Sequence, residues 1–140
     1  MSTEPRAVTP GEEIQDIALE NLSRTQIVQY AGASGDFNPL HTDEVYARQV
    51  AGYPTVMAHG MLTMGAIGRV VGETFGYSTI RAFGGRFRAG VFPGDDVMAH
   101  LVVDSVRQDE AGTVARLTVR GVNQADVEVF VGYAEVRLVP

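Results

Sequence analysis

The sequence predicts an α+β fold in which a five-stranded antiparallel sheet faces one long buried helix. Three observations predict it. Residues 97–138 hold three runs of alternating apolar and polar residues, separated by short turn signals. Residues 60–74 hold a long apolar segment at helical spacing: Met61, Leu62, Met64, Ala66, Ile67, Val70 and Val71. The whole chain has 140 residues and no internal repeat or linker, which suits one domain, 1–140, with a modest core.

Taken in order, residues 1–11 read as a loose N-terminal arm, and 14–19 as a first strand with imperfect alternation. Ser23 and Gln26 form a capping-box pattern that starts a helix over 24–34, and Gly35 ends it. A short second helix is expected after Pro39, with Thr42 as its N-cap and Asp43 and Glu44 at the positive end of its dipole. The long helix is apolar almost all round and is therefore expected to be buried on every side. Gly65, Gly68 and Gly72 weaken it, which points to close approach of a sheet or partner helix. Residues 80–87 read as a strand, with Gly84-Gly85 marking a bulge or bend. Strands over 97–106, around 115–120 and over 127–138 then follow as an antiparallel meander, turning at 109–112 and 124–126.

Composition excludes several function classes. A formal charge of −6 argues against a nucleic-acid partner, which wants a basic face. The absence of cysteine removes thiol catalysis and a disulfide framework, and suits a reducing compartment. No segment reads as a signal peptide or membrane span, so the expected location is cytoplasmic.

The chemistry concentrates in Gly35-Asp36-Phe37-Asn38-Pro39-Leu40-His41. Pro39 fixes its own φ and turns Asn38 away from helical backbone, so the segment is a rigid turn. Such a turn can aim Asp36 and His41 into one pocket, where the pair could position and deprotonate a water. The plainer reading is a polar turn, with Asp36 capping a helix and His41 at the surface. A metal site of Asp36, His41 and His59 is a further alternative without supporting ligand spacing. His59 reads as a residue that starts the long helix, and His100 as structural.

The run from Tyr30 to His41, with Ala47 at the matching distance, resembles the signature of the R-specific enoyl hydratases of the MaoC-like family. Ala58-His59-Gly60-Met61-Leu62 and the segment from Phe87 to Asp95 resemble two further motifs of that family, in the same order. The resemblance implies a hot-dog fold and reversible addition of water to a trans-2-enoyl thioester of coenzyme A or an acyl-carrier protein. The product would be the (3R)-hydroxyacyl thioester, with no cofactor and no metal. It implies that Asp36 and His41 hold and activate the water and that Asp36 returns the proton to the α-carbon. On the substrate side, Asn38 would keep the turn in register and the Gly60 N–H would face the thioester oxygen. Some relatives carry a serine near Gly68, where this chain has no hydroxyl. Arg86 and Arg88, two residues apart, are expected to share one strand face and offer a cationic handle for coenzyme A phosphates or an acidic carrier protein. A solvated face, or pairing with Asp95 or Asp96, is the alternative. A homodimer, or a heterodimer with a related hot-dog subunit, is expected. The competing functions are a non-catalytic subunit that shapes the acyl tunnel of a heteromeric dehydratase and, with a poorer match, a hot-dog thioesterase.

Overall fold

The computed structural model describes residues 6–138. Five strands, β1 (Glu13–Leu19), β2 (Ile80–Phe87), β3 (Val97–Asp109), β4 (Gly112–Asn123) and β5 (Glu128–Leu138), form one antiparallel sheet in the order β1-β3-β4-β5-β2. Helix α1 (Arg24–Ser34) and the long helix α2 (Gly60–Phe75) lie between β1 and β2 in the chain. The meander of β3, β4 and β5 forms the centre of the sheet, leaving β1 and β2 as its edges.

Alternation decides which face is covered. Val97, Ala99, Leu101 and Val103 of β3 and Ala115, Leu117 and Val119 of β4 are fully buried. They pack with Ile67, Val70, Val71 and Phe75 of α2 in a single core that also takes Phe130, Ala134 and Val136 of β5. The intervening Arg116 and Arg120 are exposed. Burying each such aliphatic side chain is worth roughly 1.5–3 kcal/mol, so this face holds the sheet on the helix. No helix among the described residues is long and apolar enough to cross a membrane.

Several expectations change on contact with the packing. Helix α2 is not buried on every side: Met61, Gly65, Arg69 and Glu73 form an exposed stripe at four-residue spacing. A sheet covers only one face of a helix, and the apolar Met61 and Gly65 remain outside it. Of the three α2 glycines, Gly68 and Gly72 do meet close neighbours, the Phe83 and Tyr77 rings, whereas nothing lies within 4 Å of a Cβ at Gly65. Gly84 and Gly85 sit in regular register opposite Tyr133 and Gly132; the irregularity in β2 falls instead between Ile80 and Ala82. The chain is helical over 44–50, and the Asp43 carboxylate accepts from Val45 N and Tyr46 N at 3.0 and 3.1 Å, so Asp43 rather than Thr42 caps this helical run. Of the arm expected over 1–11, the first five residues lie outside the described residues. From Arg6 onward it contacts the body: Arg6 pairs with Glu12 and lies over the Phe75 ring, and Val8 packs on the core.

Two ion pairs make folding sensitive to acid. Glu44 is held down from 4.5 to about 2, first by its hydrogen bond from Arg24 and then by that from Thr55. Asp109 is held down from 3.8 to about 2, first by Arg137 and then by the Ala111 N–H. A lowered folded value means that the unfolded chain binds protons first. The stabilisation from these groups is therefore complete above about pH 4.5 and is lost as pH falls toward 2. Urea midpoints should lie close together at pH 6 and 4.5 and fall at pH 3, and Glu44→Gln should shrink that drop. A flat profile between pH 6 and 3 would refute this account.

Candidate active site

The loop after α1 is built by its own side chains. Ser23 and Gln26 close the capping box that starts α1, and Gly35 ends it with φ +75°, a conformation that favours glycine. From Ser34, the last residue of α1, to Asn38, alternate polar side chains accept from the backbone N–H two residues on. Ser34 Oγ accepts from Asp36 N at 3.1 Å, Asp36 Oδ1 from Asn38 N at 3.2 Å, and Asn38 Oδ1 from Leu40 N at 3.0 Å. These are the local turns that Ser, Asp and Asn favour. They leave Asp36 Oδ2 free and start the single turn Pro39–His41.

A second strip of chain anchors that turn. Met57 N donates to the Leu40 carbonyl at 3.2 Å, and the His41 Nδ1–H donates to the Met57 carbonyl at 2.5 Å. Ala58 N in turn donates to the Val91 carbonyl at 2.8 Å. Because a carbonyl only accepts, His41 Nδ1 carries the hydrogen and a neutral ring presents its Nε2 lone pair. That nitrogen lies 3.7 Å from Asp36 Oδ2. The gap is too long for a direct hydrogen bond and suits a shared water. His41 is buried, whereas about half of the Asp36 side chain is exposed.

Asp36 opens onto a cavity of about 660 Å³. Its walls include Tyr30 and Ser34 of α1, the His59, Gly60 and Thr63 stretch at the start of α2, and Phe87, Arg88 and Val129. His41 lies behind this wall rather than in it. Gly60 is the first residue of α2, so its N–H belongs to the helix end whose donors lack intrahelical partners and whose dipole favours negative charge. A Cβ at Gly60 would come within 3.0 Å of the Phe87 ring, so the close seat of Phe87 depends on glycine there.

The expected substrate-side residues separate here. Gly60 and Arg88 line the cavity; Asn38 and Arg86 do not. The Asn38 side-chain oxygen is committed to the Leu40 N–H. Arg86 belongs to β2 opposite Val131, and Arg88 follows the last residue of the strand, its N–H donating to the Val129 carbonyl at 2.8 Å. Neither arginine forms an ion pair among the described residues. Asp95 and Asp96 accept instead from Phe92 N and Asn21 N. A serine at Gly68 would not fit unaltered, since a Cβ there meets Phe83 at 2.9 Å.

Thr63, buried and facing the cavity, was not singled out from sequence. The available signal was its hydroxyl, the first on α2 and three residues after Gly60. Tyr30, which opens the signature run, also lines the cavity, and its ring lies 4.8 Å from that of His59.

Ligand atoms of Asp36, His41 and His59 lie within 4.8 Å of one another, so the residues of the two-His, one-carboxylate alternative are adjacent. Their orientation does not suit one ion. The imidazoles stack with centroids 3.7 Å apart and planes 23° apart. Nearly parallel in-plane lone pairs do not converge at a coordination distance of about 2.1 Å.

The family model described as MaoC like domain matches residues 5–132. The (R)-specific enoyl-CoA hydratase of Aeromonas caviae is 31% identical over 121 residues, covering 85% of this chain and 88% of the relative. The 3-hydroxyacyl-thioester dehydratase Y of Mycobacterium tuberculosis is 34% identical over 99 residues, covering 69% of this chain. This chain spans only 33% of the length of that relative. The solved structure of the A. caviae (R)-hydratase involved in PHA biosynthesis superimposes with a TM-score of 0.82 at 27% identity, covering 95% of this chain and 98% of that one.

Proposed function

The chain belongs to the MaoC-like domain family, and from that membership and the site geometry we propose that it is a hydratase/dehydratase of 2-enoyl thioesters. The observation that carries the reading is the 3.7 Å gap between Asp36 Oδ2 and His41 Nε2 at a cavity that also exposes the start of α2. Two acceptors at that spacing hold a water by its hydrogens and leave its oxygen free to attack. In the hydration direction the water oxygen bonds to the β-carbon and one water proton passes to the pair. The negative charge that develops on the thioester oxygen is met by the Gly60 N–H at the α2 N-terminus. Asp36 then delivers the proton to the α-carbon, so that one water has been added in total, and dehydration runs the same steps backward. The similarity to (R)-specific hydratases supports the (3R) product. An intact pair in which Asp36 opens onto a cavity with His41 directly behind it favours an enzyme over a subunit that only shapes an acyl tunnel.

The substrate's carrier follows from Arg88. It lines the cavity without an ion-pair partner among the described residues, and a guanidinium matches phosphate geometry. Arg88→Ala is expected to raise KM for an enoyl-CoA severalfold with kcat nearly unchanged, and Arg86→Ala to change neither. Loss of a remote handle behaves that way, whereas loss at the reacting centre lowers kcat. The Arg88 effect should vanish with a pantetheine thioester that lacks the nucleotide phosphates. An equal effect on both substrates would remove Arg88 from this role. The edge strands β1 and β2 support assembly with a second hot-dog chain, identical or related, which sedimentation at assay concentration tests directly. The proposed location remains the cytoplasm, to be checked by fractionating cells that express the protein.

A further inference from the structure

We propose that His59 is a positioning residue for the Asp36–His41 pair, a role that rests on the hydratase reading and adds a residue to it. His59 touches both members at once. Its Nε2–H donates to the Asp36 backbone carbonyl at 3.0 Å, and its ring stacks on that of His41 with centroids 3.7 Å apart. The Tyr30 ring also packs against His59, with centroids 4.8 Å apart and planes tilted by 58°.

Neither a helix cap nor a core filler accounts for a histidine here. His59 occupies the N-cap of α2, yet its side chain makes no capping hydrogen bond. Ser, Thr, Asp or Asn would serve that position better. A phenylalanine or leucine would fill the space without burying a polar atom, whereas His59 Nδ1 is buried with no partner among the described residues. Histidine supplies, in a side chain of this size, a flat ring for His41 together with a donor for the Asp36 carbonyl. Direct chemistry is closed to it, because Nε2 is committed and Nδ1 has no exposed surface. His59 therefore acts through the two residues it holds.

Two variants separate its contacts. His59→Phe keeps a ring and loses the donor; His59→Gln keeps a donor and loses the ring. Each is expected to lower kcat for crotonyl-CoA about 10- to 100-fold with KM within threefold of the parent, the loss expected when a reacting group shifts by about 1 Å. Introduced into Asp36→Asn, the same substitutions should lower the residual rate by less than about threefold, because the pair they position is already broken. Full-sized losses in both backgrounds, or a kcat equal to the parent's, would overturn the proposal. If His59→Phe does not fold, His59→Gln carries the same comparison. A parent enzyme that hydrates no enoyl thioester would refute the hydratase reading instead. Positioning is then judged from a crystal structure of the folded variant. Loss of the His41–Met57 hydrogen bond supports it, and an unchanged loop overturns it.

Discussion

Asp36→Asn and His41→Ala are each expected to lower hydration turnover by at least about a hundredfold in a protein that still folds. The expectation follows from how little else the two side chains hold up. Asp36 Oδ2 makes no bond other than its approach to His41, and Asn retains the Oδ1 acceptor that the Asn38 N–H uses. His41 is anchored by one hydrogen bond to the Met57 carbonyl, while the Met57 N–H still holds the neighbouring Leu40 carbonyl when the ring is gone. What both substitutions remove is one of the two acceptors around the same water. A general acid–base group typically contributes about 10²- to 10⁴-fold, which sets the size of each loss. In the proposed mechanism both act on one proton path, so the double variant should lose less than the product of the single losses. Near-parent turnover in either folded variant would remove the pair from the chemistry.

Gly132→Ala should produce the largest loss of stability, about 3 kcal/mol, or about 10 °C in Tm. Gly132 of β5 lies directly opposite Gly85 of β2. A Cβ on Gly132 would fall 2.0 Å from the Gly84 carbonyl oxygen and 2.7 Å from the Gly85 Cα. These neighbours are backbone, so no side chain can rotate away and the two strands would have to separate. β2 is an edge strand, held laterally by β5 alone. It also carries Phe87 to the cavity, so the substitution should cost activity along with stability. Gly65→Ala on the exposed stripe of α2 provides the contrast. With nothing within 4 Å of the new Cβ, it should gain about 0.8 kcal/mol of helix propensity. A Gly132→Ala protein as stable as the parent would contradict the close contact between β2 and β5.

Much of this was legible before any coordinates, and the reasons are local. The capping box of Ser23 and Gln26, the stop at Gly35 and the alternation of Ala115, Leu117 and Val119 with Arg116, Thr118 and Arg120 each depend on neighbours a few residues away. The Asp36–His41 turn was legible for the same reason, since Ser34, Asp36 and Asn38 tie it within its own span. Long-range packing was not. Whether Gly84 and Gly85 mark a bulge or a close approach depends on Gly132, more than forty residues later. The stack of His59 on His41, the outward face of α2 and the split between Arg86 and Arg88 depend likewise on where separate elements meet or end. Sequence periodicity carries no information about such meetings.

The stereochemistry of water addition tests the central claim most directly. Purified protein would be given crotonyl-, octenoyl- and bulkier enoyl-CoA thioesters, and the chirality of each 3-hydroxyacyl product determined. The account predicts a (3R) product from at least one of these substrates, with formation falling at least about a hundredfold in Asp36→Asn. A (3S) product, no hydration of any of them, or formation unaffected by Asp36→Asn would contradict it.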